Sequence, residues 1–125
     1  MSSSVKFETS EDLLVIYLTE VKILNEAGIQ RIFKDVIDVI GKTEQPNVII
    51  DFQKVQFMSS AALGMLVRIQ KKCKEFEATL KLVNICPEIR KVFEITRLDK
   101  ILSIYDDPKE AIAAFKKKKK KGFFG

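Results

Sequence analysis

The sequence contains no histidine, the side chain that most often moves protons near neutral pH. This absence excludes a Ser-His-Asp or Cys-His catalytic arrangement and any metal site built on imidazole. Glycine is also scarce: there are five, two of them within the last four positions, so the chain has no glycine-rich phosphate loop. We therefore expect a protein that is not an enzyme and that has no catalytic residues, no cofactor and no metal.

Cysteines and long apolar runs are few as well. The two cysteines, Cys73 and Cys86, cannot form a disulfide framework and match no zinc-binding pattern, so we predict that both are reduced core residues. The N-terminus has no basic segment followed by an apolar one, and no apolar run approaches the ~20 residues that cross a bilayer. From these absences we expect a soluble, cytoplasmic protein.

The chain does contain enough apolar material for one folded domain, with 125 residues of which 46% are hydrophobic. Its net charge of +5 comes from six consecutive lysines at residues 116–121, because the rest of the chain has a net charge of −1. A nucleic-acid-binding domain would spread its basic residues over one face, so we expect no sequence-specific binding to nucleic acid. We predict one domain over residues 1–115 and a polybasic tail over residues 116–125.

Three interpretations of the polybasic tail stay open. Like charges repel and no apolar stripe continues past Phe115, which favours a disordered extension. The lysines could also make a weak contact with an anionic membrane surface, at ~1 kcal/mol per Lys, with Phe123 and Phe124 inserting. Contact with nucleic acid would be salt-sensitive and blind to sequence.

Hydrophobic periodicity predicts the first half of the fold. Residues 5–9 and 13–19 have the composition of two strands, which we expect to pair as a hairpin. Apolar residues at helical spacing over residues 29–40 predict an amphipathic helix, with Gly41 just beyond it as a stop signal. The continuous apolar stretch 47–52 is typical of a strand that is buried on both faces.

The second half alternates between helices and strands. We predict a helix from Ser60, a strand at 79–85, a helix with Pro87 at its first position, a strand at 101–105 and a helix at 108–115. The order ββαβαβαβα indicates a mixed sheet of about four to five strands flanked by helices, in an α/β or α+β domain. The residues predicted to face the core are Ala62, Met65, Leu66, Ile69, Cys73 and Phe76 in the Ser60 helix, and Ile89, Val92 and Phe93 in the next one.

The stretch FMSSAALGML, residues 57–66, lies where a strand gives way to a helix. In a purely structural interpretation, Ser59 or Ser60 is the N-cap and accepts a hydrogen bond from a free N–H. In a functional interpretation, one hydroxyl is exposed at the helix N-terminus, where the free N–H groups and the helix dipole favour a phosphate. Spacing alone does not separate the two.

Residues 48–107, which include FMSSAALG, resemble the core of a STAS domain, the fold of bacterial anti-sigma factor antagonists, and the resemblance extends over residues 5–115. In that family Asp-Ser-x-Gly-Leu-Gly opens a helix after a strand that ends in an acidic residue. Ser59 occupies the Asp position, Ser60 the position of the phosphorylated serine, Ala62 that of the first Gly, and Leu63 and Gly64 that of Leu-Gly.

The resemblance implies an anti-sigma factor antagonist. Such a protein binds an anti-sigma factor that is also a serine kinase, is switched off when that kinase phosphorylates the serine, and is reset by a phosphatase. It implies phosphorylation at Ser60, with Ser59 as the second choice. The residues expected to form the partner-binding surface are Met58, Ser59, Ser60, Ala61, Leu63, Gly64 and Val67.

This sequence departs from the family pattern at three places. Ser59 replaces the acidic residue before the acceptor, EVKI at residues 20–23 replaces a Gly-Glu-x-Asp segment, and Arg97 replaces a Gly. The carboxylates expected around the acceptor are thus largely missing. An alternative function therefore stays open, that of a STAS subunit without a switch in a signalling scaffold or lipid-transport complex, with Ser60 acting only as a cap.

Overall fold

The computed structural model describes residues 4–124, with side chains described as far as Lys116. Within this part of the chain, five strands form one mixed sheet, two short strands form a separate ribbon, and four α-helices pack around them. This confirms the predicted mixed sheet flanked by helices. The strands are β1 (Val5–Ser10), β2 (Leu13–Leu18), β3 (Lys22–Ile23), β4 (Asn47–Asp51), β5 (Phe57–Met58), β6 (Thr79–Val83) and β7 (Ser103–Tyr105), and the helices are α1 (Glu26–Thr43), α2 (Ser60–Glu75), α3 (Pro87–Ile95) and α4 (Pro108–Phe124), with a 3-10 turn at Leu98–Lys100.

The five-stranded sheet has the order β1-β2-β4-β6-β7, with β1 antiparallel to β2 and the other neighbours parallel. β1 and β2 form the predicted hairpin, in which Ser10 lies opposite Leu13 across a two-residue turn. A parallel neighbour can be reached only by a crossover, and each crossover here contains a helix. The helices α2 and α3 consequently begin at the edge where the carboxyl ends of β4 and β6 lie.

Different helices cover the two faces of the sheet. Successive residues of a strand point to opposite faces, so Ile50 and Ile49 belong to separate cores. Ile50 lies in the main core, which also holds the buried residues of α1, α2 and α3. Ile49 and Val83 pack on the other face against Ala111 and Phe115 of α4.

Two residues that the sequence predicted to be buried are exposed. Phe76 is 45% exposed because it is the C-cap of α2, where the backbone leaves the helical conformation. Val92 is 39% exposed because the buried stripe of the short helix α3 runs from Ile89 to Phe93, four positions apart, and Val92 lies beside it. The predictions for these two residues were wrong.

The helix α4 extends further than the sequence predicted. We expected it to end at Phe115, whereas it runs to Phe124, and lysine is a good helix former that supplies no stop signal. The side chains beyond Lys116 lie outside the described residues. The interpretations of the polybasic tail therefore stay predictions.

The ribbon of β3 and β5 was not predicted. Its strand β5 lies in the segment that connects β4 to α2. The two strands are parallel, with Lys22 opposite Phe57 and Ile23 opposite Met58. The Phe57 N–H donates to the Val21 carbonyl at 3.2 Å, and the next contact along the chain is made by Ser59. The ribbon thus leads directly into the segment that the sequence singled out.

Candidate functional site

The first of the two serines is committed to structure. Ser59 has an extended backbone and is the N-cap of α2, where its Oγ accepts a hydrogen bond from the Ala62 N–H at 3.2 Å. Its own N–H donates to the Ile23 carbonyl at 3.0 Å, and its carbonyl accepts from Leu63 at 3.2 Å. Ser59 is therefore the serine that caps the helix, and it satisfies one of its free N–H groups.

The second serine is left available. Ser60 is the first residue of α2 and is exposed to solvent. Within residues 4–124 its hydroxyl makes no hydrogen bond. The first turn of α2 also carries no acidic side chain, so the N-terminal end of the helix dipole is not neutralised there. The hydroxyl is thus free to react and lies where a phosphate is electrostatically favoured.

The other residues of the predicted partner-binding surface differ in exposure. Ala61 and Gly64 are exposed, and Met58 and Val67 are half-buried, with Met58 packed against the core. Leu63 is only 6% exposed and belongs to the core. The helix turns that position toward the sheet, and the role of Leu63 in partner binding stays a prediction.

Gly64 lies in the second turn of α2, where the fold does not need a glycine. A Cβ atom built on Gly64 would meet no heavy atom within 4 Å. Glycine inside a helix destabilises it by roughly 0.5–1 kcal/mol relative to alanine. Because Gly64 has no side chain, the exposed side of α2 has no protruding group at this position, one turn beyond Ser60.

Three exposed apolar side chains flank this site and were missed by the sequence analysis. Val21 is 46% exposed, and Leu24 and Phe57 are each 52% exposed. We call these three residues the ribbon patch, because they lie in or directly beside β3 and β5. The ribbon itself reaches Ser59, whose N–H donates to the Ile23 carbonyl and which directly follows Met58. The sequence offered no periodic signal for the patch, because strand alternation would place Val21 on the same side as the buried Ile23.

A lysine lies on the ribbon that leads to the site. Lys22, on β3, lies with its Nζ 5.5 Å from the centroid of the Phe57 ring, within the range of a cation–π contact. Asp51, at the end of β4, is buried and accepts from the Gln53 N–H at 2.8 Å and from Asn84 Nδ2 at 3.1 Å. Its carboxylate is thus used to join the ends of β4 and β6.

The groups whose pKa is shifted lie away from Ser60. The hydrogen bond that the Tyr17 hydroxyl donates to Glu8 raises the pKa of Tyr17 to about 12, with smaller contributions from burial and from the charges of Glu8 and Asp51. Burial raises the pKa of the Cys73 thiol to about 12. Both cysteines are free, but Cys86 is only half-buried. Neither shifted group belongs to the site at Ser60.

Other classes of site are not built by the described residues. They bring together no group of three or more His, Cys, Asp or Glu side chains that could hold a metal ion. None of the helices in the described part combines the length and the apolar content required to cross a membrane. A cavity of ≈ 150 Å³ lies on the α4 side of the sheet, between Lys6, Tyr17 and Lys54, and includes none of the predicted site residues.

Comparison with known proteins identifies the fold and the family. The STAS domain family matches residues 4–111. BtrV of Bordetella bronchiseptica, named as an anti-sigma factor antagonist, is 27% identical over 94 residues, which are 75% of this chain and 80% of BtrV. A Thermotoga maritima protein, also named as an anti-sigma factor antagonist, has a solved structure with a TM-score of 0.72 and 25% identity, covering 88% of this chain and 92% of its own.

A third comparison extends the agreement in fold. The Bacillus cell fate determinant SpoIIAA in its phosphorylated form has a TM-score of 0.63 and 20% identity, covering 89% of this chain and 98% of its own. The family match extends over most of the chain. It agrees with the topology of the sheet and with an α2 that begins directly after the β3–β5 ribbon. The chain belongs to the STAS domain family, and relatives of it are named as anti-sigma factor antagonists.

Proposed function

We propose that this protein is an anti-sigma factor antagonist that binds an anti-sigma factor with serine kinase activity, and that phosphorylation of Ser60 ends that binding. The observation that carries the proposal is the exposed Ser60 hydroxyl, which makes no hydrogen bond within the described residues, at the N-terminus of α2 and next to the ribbon patch. A phosphatase would restore the binding form, and the exchange would take place in the cytoplasm.

Two similarities support the proposal. BtrV, which is similar over three quarters of this chain, is named as an anti-sigma factor antagonist. SpoIIAA, which has the same fold, has been solved in a phosphorylated form. A binding protein of this kind needs a surface and a modifiable group rather than a general base, and Ser60 with the ribbon patch has both properties.

The docking surface consists of the ribbon patch together with Ser60, Ala61 and Gly64. Its exposed apolar side chains would be covered by the partner, and each buried apolar Å² contributes roughly 25 cal/mol. The low profile of Gly64 would let the partner approach the helix backbone closely. Met58 and Leu63 support this surface from below, because both pack against the core.

Phosphorylation would act through charge. A phosphate in the first turn of α2 is stabilised by the helix dipole, typically by ~0.3–1 kcal/mol, so the fold has no reason to change. In the complex, however, about two negative charges would have to lose water beside an apolar surface, which costs on the order of several kcal/mol. Since every ~1.4 kcal/mol is a tenfold change in affinity, partner binding should fall by about two orders of magnitude or more.

The site of modification can be tested directly. The chain is incubated with ATP and the anti-sigma factor kinase captured on it, and the modified residue is identified by mass spectrometry. We expect phosphate on Ser60 in the unmodified sequence and in Ser59→Ala, and none in Ser60→Ala. Phosphate on Ser59 would contradict the assignment, because it would require the cap hydroxyl to leave the Ala62 N–H.

A specific observation favours a second function, that of a binding subunit without a switch in a signalling scaffold or lipid-transport complex. The acidic residues that the family pattern has near the acceptor are largely missing here, because Ser59 replaces one of them and EVKI, residues 20–23, replaces Gly-Glu-x-Asp. In that case the same kinase assay would leave Ser60 unmodified. A Ser60→Asp variant would then bind the partner as well as the unmodified chain does.

We also propose a weak contact between the polybasic tail and anionic membrane surfaces. Six consecutive lysines precede Gly122 and two phenylalanines, and near an anionic surface each lysine contributes ~1 kcal/mol. Sedimentation with vesicles of phosphatidylserine and phosphatidylcholine should pull down the full chain at low salt, and not a chain that ends after Phe115. Equal sedimentation with vesicles of phosphatidylcholine alone would contradict this proposal.

A further inference from the structure

A second surface lies at the opposite side of the sheet from β7. The strand β1 is the outermost strand, and among the described residues no strand pairs with its outer edge. Five of its six residues are exposed, including Phe7 at 41%. The outward backbone groups of an edge strand can act as a template for pairing with another strand.

The backbone groups that point outward can be assigned. Because the hairpin turn has two residues, Ser10 and Leu13 form the hydrogen-bonded pair that closes it, and bonded and non-bonded pairs alternate along the strands. Phe7 lies in a non-bonded pair with Ile16, and Thr9 in one with Leu14. The backbone N–H and C=O groups of Phe7 and Thr9 therefore point away from β2.

The charges on this edge complement each other under a two-fold rotation. Lys6 and Glu8 are two positions apart, so they share the face of the sheet that carries Tyr17. Neither forms an ion pair within residues 4–124. The Tyr17 hydroxyl donates to Glu8 and holds that carboxylate in place, which leaves its other lone pairs for a further partner.

We propose that β1 pairs antiparallel with β1 of a second copy of this chain, around a two-fold axis at Phe7. This axis brings Phe7 opposite Phe7, so that the outward backbone groups of the two Phe7 residues bond to each other. It also sets Lys6 of each copy opposite Glu8 of the other, which makes two ion pairs between strands. The two sheets then form one continuous sheet of ten strands.

The charges also select this register over its neighbours. Moving the axis to residue 6 would set Lys6 opposite Lys6, and moving it to residue 8 would set Glu8 opposite Glu8. Like charges directly opposite each other on adjacent strands are destabilising. Phe7 lies on the other face of β1, with Lys42 Nζ 5.7 Å from the centroid of its ring. In the dimer the exposed part of this ring would be buried against Phe7 of the second copy.

The interface uses elements different from the docking surface. Ser60 and the ribbon patch belong to α2 and the β3–β5 ribbon, whereas the dimer contact is made by β1. The contact is small for a protein interface, so the dimer should form and dissociate with concentration. It concerns the assembly of the chain and does not depend on the proposed switch.

Charge reversal offers a matched test on the full chain by sedimentation velocity over a range of concentrations. The unmodified chain should approach twice its mass of 14.3 kDa as concentration rises. Lys6→Glu alone and Glu8→Lys alone put like charges opposite each other, so each should weaken dimerisation about tenfold or more. An equal mixture of these two variants should dimerise again, because both positions are acidic in the first variant and both are basic in the second.

The double variant Lys6→Glu with Glu8→Lys should dimerise like the unmodified chain, and so should Lys91→Glu, an exposed charge reversal on α3. Circular dichroism would show that all variants keep the fold, since the changed residues are exposed. The proposal is wrong if the unmodified chain stays monomeric at all concentrations. It is also wrong if both single reversals dimerise normally, or if their mixture stays monomeric.

Discussion

Lys81 and Ser60 are two polar side chains placed in opposite circumstances. Lys81 is buried at 6% exposure on the α4 side of the sheet, yet its Nζ lies 3.3 Å from the Tyr105 hydroxyl and within 5 Å of the ring centroids of Tyr105 and Phe115. Ser60 is at the surface, and its hydroxyl has no partner in the described part of the chain. The buried cation is satisfied and structural, whereas the exposed hydroxyl is unused by the fold and available for binding or modification.

Aromatic side chains show the same contrast. Phe115 is 7% exposed and lies over Lys81 and the sheet, whereas Phe57 is 52% exposed and contacts a lysine at the surface. A side chain whose surface is buried within the domain contributes to its stability. An exposed apolar side chain can instead be buried against a partner. Substitutions in the two regions should therefore separate these two uses.

The largest effect is expected for Phe115→Ala. Removing a buried phenylalanine typically costs about 3 kcal/mol or more, and here it also uncovers Lys81. The control is Phe57→Ala, which should lower the free energy of unfolding by less, about 1 kcal/mol, because half of this side chain is already exposed and its cation–π contact lies at the surface. Urea unfolding measures both values. Equal losses would remove the distinction between the two regions.

The two serines should separate next. Ser59→Ala removes the N-cap of α2 and should destabilise the protein by about 1 kcal/mol. Ser60→Ala removes a hydroxyl without a hydrogen bond in the described residues, so the free energy of unfolding should stay within about 0.5 kcal/mol. Thermal unfolding of the two variants side by side provides the measurement. A larger loss for Ser60→Ala would show that its hydroxyl, too, is structural.

Gly64→Ala should separate stability from binding at a single position. A Cβ at Gly64 meets nothing within 4 Å, so the variant should be more stable by about 0.5–1 kcal/mol. Partner binding should weaken, because the added methyl group would stand on the proposed docking surface. Urea unfolding and partner titration test the two parts. A variant that is less stable, or that binds better, would contradict this account of Gly64.

The smallest effect concerns Tyr17 on the outer part of the sheet. Its pKa is raised to about 12, chiefly by the hydrogen bond to Glu8, so that bond should stabilise the fold fully below pH 10 and be lost as pH rises through 12. Glu8→Gln should lower the pKa of Tyr17 toward 10, as seen by absorbance of the ionised phenol. A Tyr17→Phe variant identifies which of the two tyrosines titrates. An unchanged pKa in Glu8→Gln would contradict the assignment.

The sequence was sufficient for the parts of the fold that follow from periodicity. The continuous apolar stretch predicted β4, and the helical spacing of apolar residues predicted α1. The change of period after β4 predicted that Ser60 lies at the N-terminus of a helix, α2. These signals are local and repeat over several residues, so they can be seen without the tertiary structure.

The parts that were missed depend on distant contacts. β3 and β5 have two residues each, too few for any period, and they exist because segments more than thirty positions apart pair with each other. The exposed Val21, Leu24 and Phe57 therefore could not be recognised as one patch. Leu63 was included in the predicted surface because of its position in the family pattern. The orientation of α2 against the sheet directs its side chain inward.

The central claim is that Ser60 switches partner binding by charge, without a change of fold. The direct measurement is calorimetric titration of the captured anti-sigma factor with the unmodified chain, with Ser60→Asp, and with the neutral Ser60→Asn as the control for size. Thermal unfolding of each chain is recorded in parallel. We expect Ser60→Asp to bind at least about a hundredfold more weakly at an unchanged melting temperature, and Ser60→Asn to bind nearly normally. Normal binding by Ser60→Asp, or a loss of binding that only accompanies unfolding, would contradict the claim.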